Sequence, residues 1–233
     1  MNTMTTRQAA LVSLYTLYED AIATTFATAC EKGCATCCSI NVTITSLEAR
    51  YLLAHPFFTG AEARKIVAGA GNRPRFIPSL TINRLAEACL KEKHVPEETG
   101  IHAAGTCPLL DDSRMCRVYS HRPFACRAMF STERCRKDGA AEMPPFLYTV
   151  NLALCQLIEH LDRHGHTGNM IDMLAGDGKQ TIANTPLPGF PVPPADRQRL
   201  GTFLARLQNY PVEDGTLMDF FPPHLLCVED GIA

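Results

Sequence analysis

The chain has 233 residues, 46% of them hydrophobic, and a formal net charge of −2, enough to bury a sizeable core without crosslinks. That near-neutral balance excludes a global attraction to nucleic acid or to an anionic membrane, and no stretch reaches the roughly 18 uninterrupted apolar residues that a membrane span requires. The eleven cysteines are several-fold more than an ordinary cytosolic protein carries, and their odd number argues against complete internal pairing.

In chain order, Leu11, Leu14, Leu17, Ile22 and Phe26 recur at near-helical spacing and predict a helix over 7–29, ended by Gly33. Glu19, Asp20 and interspersed Thr and Tyr break its apolar runs, so no export signal is expected, and the thiols should stay reduced in the cytoplasm. Residues 40–45 alternate apolar and polar with β-branched side chains, the pattern of a short half-buried strand. Thr45 with Glu48, and Thr59 with Glu62, have capping-box spacing and predict two short helices that stop at His55-Pro56 and near Gly71. A third helix is predicted over 79–93 with Ile82, Leu85, Cys89 and Leu90 inward, followed by a mostly irregular stretch over 94–120.

Pro144 and Pro145 mark a helix start, and residues 146–164 are apolar nearly all round, as in a central packed helix. A proline-rich connector then leads to a last helix near 195–208. The expected fold is mainly α with a small β element, an irregular cysteine-rich metal-binding region packed on a helical core. The expected division is a cysteine-cluster domain with its helical core over 1–183, then connector, C-terminal helix and tail over 184–233.

The cysteines fall in two sets. The first is Cys30-Glu-Lys-Gly-Cys34-Ala-Thr-Cys37-Cys38, in which the C-x2-C part has the spacing that aims two sulfurs at one ion. Cys37 and Cys38 are adjacent, so in an extended segment their side chains point apart. The second set is Cys107, Cys116, Cys126 and Cys135, overlapping a stretch (111–138) that carries seven Lys or Arg against four Asp or Glu. Eight thiolates suit two four-ligand ions or one polynuclear site, with zinc and iron–sulfur both compatible. Arg117, Arg122, Arg127 and Arg136 lie close to these cysteines in sequence and are candidates to offset thiolate charge.

Polar, glycine-bearing surroundings make the clustered cysteines poor core residues, whereas Cys89, Cys155 and Cys227 read as structural. His160, His164 and His166 read as helix C-terminal residues that complement the dipole.

The pairing of Cys30-x3-Cys34-x2-Cys37-Cys38 with Cys107-Pro…Cys116-x-Val-Tyr119-x-x-Arg122-Pro123-x-x-Cys126-Arg127 resembles the bacterial CxxCxxCC cysteine-cluster family over residues 26–137. That resemblance implies a zinc- or iron-chelating protein, with Cys135 as the trailing cysteine. The three-residue gap after Cys30 departs from the family spacing and makes Cys30 the least secure ligand. The cysteine region is also similar to that of flagellin lysine N-methylases, which implies an iron–sulfur enzyme, a protein lysine N-methyltransferase or redox catalyst, as an alternative. A zinc-stabilised partner-binding module is a third reading. The expected partner is a metal ion, with neither nucleic acid nor membrane.

Overall fold

The computed structural model describes residues 5–31, 33–95, 105–135, 141–176 and 180–223. The described residues are about 51% helical with only small antiparallel sheets. Among the described residues, no helix is long and apolar enough to cross a membrane.

Helix α1 (Thr6–Thr25) starts at Thr5, whose hydroxyl and the Gln8 side chain form a reciprocal capping box. It ends before the first cysteine, not at Gly33. The poor helix formers Thr24 and Thr25 close it, and Phe26 turns extended to pack edge-on against Phe130, 6.1 Å between centroids. Strand β1 (Thr43–Thr45) runs directly into α2 (Ser46–Leu53) through the predicted Thr45–Glu48 capping box. Helix α3 (Ala61–Gly71) starts near the predicted point but without the Thr59 cap. The Thr59 hydroxyl instead donates to the Pro56 carbonyl at 2.7 Å inside a 3-10 turn, leaving Gly60 as N-cap with no side-chain bond.

Helix α4 (Ile82–Leu90) is shorter than the predicted 79–93 because Thr81 is extended and its hydroxyl caps Arg84 N. It buries Asn83 and Ala86, not Cys89 and Leu90, which are exposed. The reading of Cys89 as a buried structural residue is thereby corrected. Asn83 sets this orientation. Its backbone N–H donates to Glu159 at 2.8 Å, and its Nδ2 donates to the carbonyls of Gln156 and Thr185.

A four-residue helix, α5 (Phe124–Arg127), precedes the central helix α6 (Pro145–Leu161), which begins with proline at its first position as predicted. Helix α6 ends at Leu161, so His164 lies beyond it and His166 opens strand β2 (His166–Asn169). Strand β2 pairs antiparallel with β1 (Ile44 opposite Gly168) and with β3 (Thr181–Ala183; Thr167 opposite Ile182), giving the order β1-β2-β3. Helices α7 (Met170–Ala175) and α8 (Arg197–Leu204) and a hairpin of β4 (Pro211–Val212) and β5 (Gly215–Thr216) complete the described α-helices and strands.

The main core joins Leu11, Leu14 and Leu17 of α1 to Leu154 and Leu157 of α6 and to Leu200 and Leu204 of α8. A second core gathers Ile40 and Ile44 with Leu52 of α2, Val67 of α3 and Ile171 of α7, and Cys107 and Cys116 pack against its edge. The cysteine segments thus rest on these apolar layers and contribute Leu109, Val118, Phe124 and Phe130 to them.

Candidate metal centre

The first cysteine segment crosses the molecule between two anchors. At one end Ala29 N donates to the Ser131 carbonyl at 2.9 Å, and Glu31 pairs with Arg134 at 2.9 Å. At the other, Cys107 N donates to the Cys38 carbonyl at 3.1 Å and Ile40 N to the Gly105 carbonyl at 2.8 Å. Between them Gly33 takes φ +89°, a left-handed conformation natural to glycine, and lies against Met115. Cys34 N donates to the Glu31 carbonyl, and Cys38 N donates to the Ala35 carbonyl.

The second segment folds back on itself between Cys107 and Cys116. Asp111 directs the turn: its N–H donates to the Met115 carbonyl and its carboxylate accepts from Met115 N at 2.8 Å, with Arg114 left-handed at φ +61°. Leu110 then bridges Cys116, and Arg117 N donates to the Leu109 carbonyl. Arg122 is extended, as a residue before proline prefers, and Pro123 opens α5. Cys126 N donates to the Pro123 carbonyl at 3.0 Å, and Phe124 N donates to the buried carboxylate of Glu48 at 2.8 Å.

These anchors bring five thiols together. Cys38 has Cys37, Cys107 and Cys126 as electrostatic neighbours, and Cys126 has Cys107, Cys116 and Cys37. The chain turns at residues 36–37 instead of running extended, so the Cys37 and Cys38 thiols act on each other. That mutual influence lowers the Cys37 thiol and raises that of Cys38. Burial raises Cys116 and Cys126, and pushes Cys107 up to about 11.

Residues 29–144 match the CxxCxxCC family, whose description reads "putative zinc- or iron-chelating domain". This segment is a CxxCxxCC domain. No curated protein and no solved structure matches the chain.

Within the CxxCxxCC domain, Cys30 and Cys34 are exposed and Cys135 is half-buried, and none of them is among the principal electrostatic neighbours of the five. Cys34 Sγ lies 3.8 Å from the Thr36 hydroxyl. Of the arginines, Arg122 faces the thiols, with its charge acting on Cys37, Cys116 and Cys126 while its guanidinium lies 3.7 Å above the Tyr119 ring. Arg127 turns the other way, bonding the carbonyls of Arg122 and Ser120, pairing with Glu19 and covering Tyr15. Arg117 pairs with Glu62 at 3.1 Å. Arg136 and Cys227 lie outside the described residues.

Sequence reasoning missed Arg73, which acts on Cys107 and donates to the Thr106 carbonyl at 3.2 Å. It follows α3, far along the chain from any cysteine, so no local pattern points to it. Glu48 was read as a helix cap, and its second task of receiving α5 has no sequence signal.

Among the described residues, no three His, Cys, Asp or Glu side chains are poised to hold an ion as they stand. A rotation between staggered χ1 wells moves a thiol sulfur by roughly 3 Å, so small adjustments can change which of these sulfurs converge. The chemistry of the donor set fits a soft cation: five thiols from two segments, two nearby guanidiniums, and no carboxylate among the principal neighbours of Cys38 and Cys126.

Proposed function

We propose that this CxxCxxCC domain holds a transition-metal centre, zinc or iron, through thiolates of its two cysteine segments. The gathering of Cys37 and Cys38 with Cys107, Cys116 and Cys126 carries this reading. Cys38, Cys107, Cys116 and Cys126 form the inner donor set. Cys37 stands next to Cys38, and Cys30, Cys34 and Cys135 supply further sulfurs for a second ion or a polynuclear cluster.

Four thiolates around a divalent ion leave about two net negative charges. Arg122 and Arg73 offset that charge at different members of the set, Arg122 at Cys116 and Cys126, Arg73 at Cys107. A cysteine-only set of this number favours iron. When bound, zinc would supply a structural link between the segments, and an iron–sulfur cluster would add one-electron chemistry. A reducing cytoplasm is the compartment that keeps such thiols available.

Metal analysis and the visible spectrum of anaerobically purified protein test the reading. We expect stoichiometric zinc or a coloured iron centre, lost in Cys38→Ser and Cys126→Ser and retained in Cys89→Ser, whose thiol is exposed on α4. Protein purified without metal that also fails to take up Zn2+ or Fe2+, or full metal content in Cys126→Ser, overturns it.

A further inference from the structure

Beside the thiols lies a cavity of about 430 Å3 that the cysteine chemistry does not use. Its floor is β1 and α2, with Ile44, Thr45 and Glu48, and its back is α6, with Cys155, Ile158 and Glu159. Ile82 and Leu85 of α4 form the opposite wall. The buried Asn83 bonds hold α4 by its polar edge, so these two side chains face the space and do not pack into α6. Phe124 and Ala125 of α5 close the remaining side, next to Cys126.

The lining defines what fits. Among the described residues that line it there is no Lys, Arg or His, so an anion finds no counter-charge and meets two carboxylates. A cation fares little better, because those carboxylates are already engaged. Glu48 accepts from Phe124 N and the Tyr15 hydroxyl on one oxygen and from Thr45 N and the Thr45 hydroxyl on the other. Glu159 accepts from Thr185 N, the Thr185 hydroxyl and Asn83 N. What remains is apolar wall with small donors at Thr43, Thr81 and Cys155. The volume is within the range of small-molecule sites, which are mostly apolar with few polar groups.

The geometry points to a binding site for an uncharged, predominantly apolar small molecule carrying few hydrogen-bond acceptors. It stands whichever metal the cysteines hold.

Nile red, an uncharged dye that fluoresces in apolar surroundings, is the probe, titrated into the metal-loaded protein. One saturable site with a blue-shifted emission is expected. Leu85→Trp and Ile82→Phe, which fill the space, should each weaken it at least about tenfold. Leu152→Glu should leave it unchanged, because Leu152, 52% exposed, belongs to a surface patch outside the cavity. Bound dye should also slow modification of Cys155 by methyl methanethiosulfonate, read by peptide mass; this arm needs no variant and decides the matter if both filling variants misfold. Absence of saturable binding, loss in Leu152→Glu with retention in folded Leu85→Trp, or an unprotected Cys155 overturns the proposal.

Discussion

Glu48 accepts four hydrogen bonds from three separate parts of the chain while fully buried, and burial pushes its carboxyl above the usual range. His160 is shifted the other way. Its Nδ1 accepts from Leu187 N at 3.0 Å, tying the proline-rich stretch to α6, and burial lowers the ring to about 4. A raised carboxyl favours the folded state below the ordinary glutamate range, and that contribution is lost as pH rises through the folded value. The lowered imidazole contributes stability above about pH 6.5, and it is lost as pH falls toward 4. The two therefore oppose each other in mildly acidic solution. Melting temperature measured against pH should rise more steeply between pH 4 and 6.5 in Glu48→Gln than in the wild type, and more shallowly in His160→Gln. The glutamine variant should also be less stable by about 1–3 kcal/mol, because an amide nitrogen would face a backbone donor.

Elements are fixed to one another by polar pins as much as by apolar contact. Asn169, fully buried at the end of β2, donates to the carbonyls of Ile40 and Phe76 and caps α7 by accepting from Ile171 N. Asn169→Ala leaves three backbone groups without these partners and should cost on the order of 3 kcal/mol in denaturant melts. It should also weaken metal retention, because Ile40 lies two residues beyond Cys38. The helices were legible wherever periodicity and caps coincided: Thr45 with Glu48, Pro145 at the start of α6, Gly71 at the end of α3. Strands β2 and β3 were not, since His-Thr-Gly-Asn carries no alternating pattern and gains its strand form only from β1. The inward face of α4 was misread for a related reason. Its apolar stripe is real, but Asn83 rotates it toward a cavity, a preference that no single-helix pattern encodes.

Across the whole molecule, the eight clustered cysteines were readable from spacing alone, whereas the subset that gathers depends on long-range pairing such as Ser39 with Thr106 and Cys107 with Cys38. The main helical core contains none of those eight thiols. Removing the metal with a chelator should therefore leave most far-UV helical signal in place while raising amide exchange over residues 105–135, unlike small zinc domains that unfold outright. Helix α5 connects the cavity to the thiols: Ala125 on the cavity wall and Cys126 among the thiols are consecutive residues of one turn. Any guest that displaces this turn must alter the affinity for the ion, and the ion must then alter the affinity for the guest by the same factor. Two titrations, run in either order, would measure a single coupling constant.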